Sequence, residues 1–303
     1  MPLSASEAEA EAASEAEPVT EAPAPVSAPA PDVAKRGTRG RRQSALWRIG
    51  GTLDTRWRVG LAVVGVGSVL AVWAVAAASV KEGGTLLPTP LATGHALVNL
   101  WSDGVLRSDL WASSFRIGVG YGLSVAIGIV GGVAIGTFPS VEAFFEAQIG
   151  FLRYIPASAL TPVFLLWLGI GESPKVWLIV VGTMFFNVLM IADAARATPR
   201  ELVNAAYTLG AGRWTVVRRV VGRYSVPGIV DAARVNLAAA WLMLVVAELL
   251  AADSGLAYQI VRAQRFRAVD TMFALLFVFG IIGLASDLFL RWLRNRLAPW
   301  ARA

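Results

Sequence analysis

Residues 198–227 read TPRELVNAAYTLGAGRWTVVRRVVGRYSVP, a polar, arginine-bearing stretch between two hydrophobic runs. Thr198 suits a helix N-cap, Pro199 the first helical position and Glu201 the third residue after the cap, which together make a capping box. Leu202, Ala206 and Leu209 recur at helical spacing and give a short amphipathic helix one apolar stripe. Gly210 follows where a C-terminal glycine stops a helix. A second short helix is expected from Arg213, carrying Trp214, Val217 and Val221 beside Arg218 and Arg219. Pro227 is expected to end it and to open the next hydrophobic run. Two short helices joined at a glycine, with hydrophobic runs on both sides, predict a loop that docks into a partner.

The composition sets the surroundings of this loop. The chain is 56% hydrophobic with a mean hydropathy of +0.59, more apolar than a soluble protein, which averages about 45–50%. Its net charge is +6, and lysine occurs only at positions 35, 81 and 175, so arginine carries the balance. On a hydrophobic chain such a charge points to topology and anionic lipid, and no nucleic-acid motif accompanies it. The absence of cysteine excludes disulfides, a thiol nucleophile and Cys-type metal sites, and the single histidine, His95, excludes a His cluster within one chain. No metal or cofactor is expected.

Outward from the loop, six apolar runs have the length of membrane spans, about 20 residues each. They are expected at Val59–Ser79, Ile117–Thr137, Ile149–Ile170, Val176–Ala192, Val226–Ala251 and Thr271–Leu290. The first 45 residues form an acidic Ala/Pro/Ser/Glu tail ending in a basic run, Lys35, Arg36, Arg39, Arg41 and Arg42. Residues 1–34 hold too little apolar surface to fold alone and lack the pattern of a signal peptide. The remainder, 46–303, is read as one transmembrane domain with the loop at 198–226. Arginines before the first run, in the loop (Arg196, Arg200, Arg213, Arg218, Arg219, Arg223) and after the last run (Arg291, Arg294, Arg296, Arg302) place both termini and the loop in the cytoplasm.

Within the runs, Gly128, Gly132 and Gly136 fall four apart on one face, where another helix can approach closely. Pro156 and Pro162 are expected to kink the third run. Asp231 and Arg234, three apart, can pair on the fifth. Ionisable groups inside a membrane face protein or water. For Glu248, near the outer end of the fifth run, snorkelling and a place along a solute pathway both stay open. No GxxxxGK[ST] occurs, since the lysines are followed by Arg, Glu and Val, so work against a gradient needs a separate ATPase.

The loop resembles the signature loop of permease subunits in binding-protein-dependent ABC importers. That loop reads Glu-Ala-Ala, three residues, then Gly. Here Asn204, Ala205 and Ala206 are followed by Gly210 and Ala211. Asn204 departs from the family's glutamate, and Arg223 stands where a first proline falls, while Pro227 and Gly228 match the second proline and its glycine. Further strings resemble the sulfonate, taurine and nitrate branch: Ser113, Arg116, Gly120 and Tyr121; Arg153 to Pro156; Leu160-Thr161-Pro162; Leu166 to Glu172 with Lys175; and Arg234, Trp241 and Ala247-Glu248-Leu249. The resemblance covers residues 85–297.

What it implies is an all-α polytopic membrane protein of about six transmembrane helices with a cytoplasmic coupling-helix loop, in the cytoplasmic membrane. Its implied partners are two copies of an ABC ATPase subunit, a periplasmic or lipid-anchored substrate-binding protein, a second copy of itself and membrane lipid, with no nucleic acid. Glu201, Leu202, Asn204, Ala205, Ala206, Leu209, Gly210 and Ala211 would couple to the ATPase. Arg234, Trp241 and Glu248 would lie near the pathway of a small, anionic solute moved by alternating access. The competing classes are an ATP-independent channel or structural membrane protein, and an intramembrane enzyme. The enzyme would need paired Asp, Ser/Lys or His/Glu groups at one depth, and the intramembrane candidates sit at span ends.

Overall fold

The computed structural model describes residues 53–80, 86–251 and 253–301. The tail 1–45, its basic run, Lys81 and Arg302 lie outside the described residues. The chain separates into two units, Met1–Leu61 and Ala62–Ala303. Of the first, the described part is residues 53–61, the approach to and opening of a helix.

Among the described residues every regular element is helical. In chain order they are α1 (Thr55–Ser79), α2 (Pro90–Ser102), α3 (Val105–Thr137), α4 (Pro139–Leu152), α5 (Thr161–Leu168), α6 (Glu172–Arg196), α7 (Arg200–Thr208), α8 (Gly222–Ala251), α9 (Leu256–Arg265) and α10 (Val269–Leu297). Short 3₁₀ turns precede α5 at Ala157–Leu160 and follow α10 at Pro299–Ala301. Among the described residues five helices are long and apolar enough to cross a membrane, and a bent pair makes a sixth if it counts as one span.

The core sits on α6, which lies against α3 on one side and α8 on the other. Leu178, Ile179, Val180, Ile191 and Ala192 of α6 are wholly buried. Ile179 meets Ile117 and Tyr121 of α3 and Leu237, Ala240 and Leu244 of α8, and Ala192 clusters with Ile135 of α3 and Ile149 of α4. α10 closes against α8, α9 and α2. α1 is apolar on all sides, and its most apolar stretch has no buried residue, although Trp73 stacks on Phe273 and Phe277 of α10.

The glycine face of α3 meets α6. A Cβ on Gly128 would stand 2.8 Å from the Asn187 Cβ, and one on Gly132 would stand 2.7 Å from the Val188 carbonyl oxygen. At Gly136 it would strike the Ala192 carbonyl. The stripe extends toward the start of α3 through Ser124, which accepts from Thr183 and Asn187 at 2.7 and 2.9 Å, and Gly120, packed on Ile179. Small residues every fourth position let the two backbones close, and the hydroxyl adds interhelical hydrogen bonds. Asn236 of α8 joins by donating to Asn187 at 2.8 Å.

Four expectations change. The third run is two helical segments and not one kinked helix: α4 begins at Pro139, and the chain turns by 82° before the segment Ala157–Leu168. Pro156 is extended in the break, where its missing N–H leaves no helical bond unmade. Pro162 sits in the first turn of α5, where no donor is needed, so it starts a helix instead of kinking one. Pro227 lies inside α8 and ends nothing; a π-helical segment, Val216–Val221, leads straight into α8, and membrane helices tolerate proline where neighbouring segments re-satisfy the freed carbonyl. α3 starts at Val105 and α6 at Glu172, well before the expected Ile117 and Val176, because Asp109, Arg116 and Lys175 are buried charges inside the bundle and not its border. Asp231 and Arg234 do not pair with each other. Arg234 binds Asp287 of α10 at 2.5 Å and Asp231 receives Arg294 at 2.9 Å, so each charge is answered across the helix interface.

Candidate functional site

The loop of residues 198–226 forms at the end of α6. Ala197 closes α6, and the Thr198 amide still bonds the Ala195 carbonyl at 3.2 Å. Two helices thus meet with almost no connector. Thr198 is tucked into the junction, 8% exposed, and its Oγ1 has no partner. The capping box is therefore not formed: α7 starts at Arg200 without a side-chain cap, because the packing of the junction turns the Thr198 hydroxyl inward.

The other end of α7 closes as its sequence dictates. Gly210 has φ +80. Its amide bonds the Tyr207 carbonyl at 2.9 Å, and the Ala211 amide reaches back to Ala206 at 3.0 Å, the pair of bonds of a Schellman motif. Glycine is required there, since a left-handed residue costs an L side chain about 1–2 kcal/mol.

The two sides of α7 differ. Val203 and Tyr207 turn toward the bundle and line a cavity behind the helix. Leu202, Asn204, Ala205 and Leu209 are exposed, Leu209 at 89%, and Ala206 is half-buried. The apolar stripe of α7 is thus uncovered among the described residues. Beyond Gly210 the chain makes one helical turn at Arg213–Thr215 and enters the π segment, whose Val216 and Val221 anchor it in the core while Arg218 and Arg219 face out. Trp214 meets Phe138 edge-on at 6.2 Å. A π segment is rare and concentrates at functional positions.

At the opposite end of the bundle lies a second feature, a buried cluster of charges. The Arg116 guanidinium is 1% exposed and is shared by two carboxylates. Nε and Nη2 donate to Glu172 at 2.6 and 2.8 Å. Nη1 donates to Glu248 and to the Ser254 carbonyl, both at 2.8 Å. Glu248 also accepts from the Ser113 hydroxyl at 2.6 Å and from the Ala257 amide at 2.9 Å. Lys175 donates to Glu172 at 2.8 Å, and Asp109 accepts from the Gly255 amide at 2.7 Å. The cluster ties α3, α6 and α8 to the turn before α9, and Gly255 packs so closely on the Glu248 carboxylate that a Cβ there would strike it. Buried charges persist when paired and hydrogen-bonded.

Of the expected pathway residues, Glu248 is in this cluster and does not reach solvent in this conformation. Arg234 is held by Asp287. Trp241 meets Phe279 edge-on at 5.9 Å, and its buried Nε1 has no partner. The three are not brought together into one site. Ser113, Arg116, Glu172 and Lys175 stand in the family strings, so their importance was signalled, but their mutual pairing was not. Asp109, Asn187 and Asn236 carried no signal at all.

Residues 124–299 match the family described as the inner membrane component of binding-protein-dependent transport systems. A probable ABC transporter permease protein of Brucella melitensis is 36% identical over 218 residues, covering 72% of this chain and 89% of that protein. The taurine transport system permease protein TauC of Escherichia coli K12 is 33% identical over 258 residues, 82% of this chain and 94% of TauC. Among solved structures, an inward-facing form of the MetNI methionine ABC transporter superposes with a TM-score of 0.55 at 20% identity. The match covers 65% of this chain and 96% of that one, a likeness of fold.

Proposed function

The chain belongs to the family of inner membrane components of binding-protein-dependent transport systems, and from that premise we propose how this permease subunit of an ABC importer works and what it carries. It moves a small anionic solute of the sulfonate class inward across the cytoplasmic membrane by alternating access. The similarity to the taurine permease supports that solute class. Two copies of the chain form the pathway. A separate ATPase subunit docks on each copy, and a binding protein delivers solute at the other face.

One observation carries the reading: α7 is a short helix whose apolar stripe is exposed at Leu202 and Leu209 and half-buried at Ala206, with Ala205 exposed beside it, and it is closed by Gly210 in the left-handed conformation. A nine-residue helix is not stable alone. Its exposed apolar side chains offer a surface for a partner. Glu201, Asn204, Ala206 and Ala211 complete the contact. Because α7 joins α6 directly and leads through the π segment into α8, a push on α7 reaches both helices that frame the core. Arg234, Trp241 and Glu248 lie along α8 and sense that motion, with Glu248 held in the Arg116 cluster until the outer end opens. Both termini and the loop face the cytoplasm. Residues 46–303 carry the transport function and residues 1–34 are dispensable to it.

The test is affinity purification of the tagged chain from its native membrane, followed by uptake in proteoliposomes. A Walker-motif ATPase should co-purify, and uptake of taurine or an alkanesulfonate should need ATP and the binding protein. Recovery without an ATPase, together with ATP-independent flux, would instead make the chain a channel.

A further inference from the structure

The cavity behind α7 has a volume of about 580 Å³ and lies between α7, the end of α6, the start of α4 and the π segment. Arg196, Arg200 and Arg213 line it together with Thr137, Thr198 and Tyr207. Glu142 is the carboxylate in its wall, and it is taken by Arg196 at 2.7 Å. Arg196 also binds Asp193 at 2.6 Å. Arg200 and Arg213 form no ion pair with any described residue. The Thr137 and Thr198 hydroxyl oxygens are buried without a hydrogen-bond partner, and Thr198 as a whole is 8% exposed. Positive charge and unused hydroxyl donors thus converge on one recess.

We propose that this recess is a binding site for a tetrahedral oxyanion of the phosphate or sulfate type, either free in the cytoplasm or as the phosphate of an anionic lipid headgroup. Guanidinium groups match the oxygen edges of such an anion, and the threonine hydroxyls gain the acceptor they lack. The volume admits the anion with several waters, each occupying about 30 Å³. The recess lies on the side of α7 opposite the uncovered stripe, so a protein docked on Leu202 and Leu209 does not fill it. An anion there bridges Arg200 on α7, Arg213 beyond the Gly210 turn and Thr137 and Thr198 at the ends of α3 and α6. It thereby fixes the pose in which α7 is presented, whichever solute the permease carries.

Radiolabelled sulfate binding to the full chain in phosphatidylcholine nanodiscs tests this. Saturable binding is expected, weakened at least tenfold by the double variant Arg200→Gln/Arg213→Gln and severalfold by Thr198→Val. Arg107→Gln, at the far end of α3, should leave it unchanged. If the double variant fails to fold, as judged by gel filtration and circular dichroism, the near-isosteric Thr198→Val carries the comparison. Nanodiscs containing phosphatidylglycerol separate the sources. Loss of sulfate binding there, with lipid retained through delipidation only when the arginines are present, assigns the site to a headgroup. Undiminished sulfate binding assigns it to a free anion. Absence of both saturable sulfate binding and arginine-dependent lipid retention overturns the proposal, and so does binding that is equal in wild type and variants.

Discussion

Arg116 on α3 donates to Glu248 on α8 at 2.8 Å, and their side chains are 1% and 0% exposed. Glu172, the second carboxylate on the same guanidinium, is 51% exposed. The two carboxylates therefore differ in what their loss leaves behind. Without Glu248, the inner nitrogen of Arg116 keeps only the Ser254 carbonyl, and the Ser113 hydroxyl and Ala257 amide lose their acceptor. Without Glu172, Lys175 and two nitrogens of Arg116 lose a carboxylate, but one that stood half-exposed, where water can take its place.

Glu248→Ala should accordingly destabilise the purified protein by about 3–5 kcal/mol, the cost of stranding a buried charge. Glu172→Ala should cost less, because water can enter where its half-exposed carboxylate stood. Thermal unfolding in detergent, followed by tryptophan fluorescence, measures both. Equal shifts for the two variants would mean that the cluster is not organised around the buried pair.

Gly132→Leu should prevent assembly of α3 on α6, because even a Cβ at this position meets the Val188 carbonyl and the Ile191 side chain within 3 Å. Overpacking costs about 1–3 kcal/mol where neighbours can shift, and a backbone carbonyl shifts little. Ile129→Leu, at a position 38% exposed, should be tolerated. The yield of monodisperse protein distinguishes them, and a normal yield for Gly132→Leu would rule out close packing along this face.

Gly210→Asp should insert in the membrane normally and lose both the ATPase and transport. The left-handed backbone resists any L side chain, so the Schellman closure opens and Leu209, which immediately precedes Gly210, is displaced. Asn204→Glu, which restores the residue usual in the family, should be near neutral. Substrate-stimulated ATP hydrolysis in reconstituted vesicles checks both, and wild-type hydrolysis by Gly210→Asp would sever this loop from coupling.

Asp287→Arg should weaken transport by setting like charges on Arg234 and Arg291, its present partners at 2.5 and 3.5 Å. The double reversal Arg234→Asp/Asp287→Arg should recover most of the loss, since both side chains are about one-third exposed and geometry is forgiving. Failure of the reversal to recover uptake, with the protein folded, would give Arg234 a role beyond this pair.

A reporter enzyme fused after Ala303 should be active only in the cytoplasm, and one fused at the N-terminus likewise, because arginine flanks the first and last hydrophobic runs. A periplasmic signal at either end would reverse or break that topology.

How much of this was legible follows from the range of the forces involved. Hydropathy and length are local sums, so the hydrophobic runs, the all-helical class and the α7–Gly210 unit could be read from neighbouring residues alone. Gly210 is the clearest case: its conformation and the two backbone bonds around it depend on residues within five positions. The glycine stripe was legible for the same reason, since a period of four fixes a face, and only its extension through Ser124 and Gly120 had to await the sight of α6. Borders were harder. The expected spans stopped at Arg116 and Lys175 because a charge usually marks the water interface, whereas here partners on other helices let the charges stay inside. The capping box at Thr198 failed for a like cause, its hydroxyl being drawn into a junction whose packing the sequence does not state.

By itself, the sequence determined that this chain is a membrane-spanning bundle of helices with a polar, arginine-bearing loop, because periodicity, glycine placement and apolar length act over a few residues. Tertiary structure alone decided which charges are partners. Asp231 and Arg234 stand three apart yet bind Arg294 and Asp287, and Arg116 joins residues of α6 and α8 that lie far from it in sequence. A buried charge takes whichever partner the packing brings within hydrogen-bonding distance, and in a helical bundle that distance is set across helices.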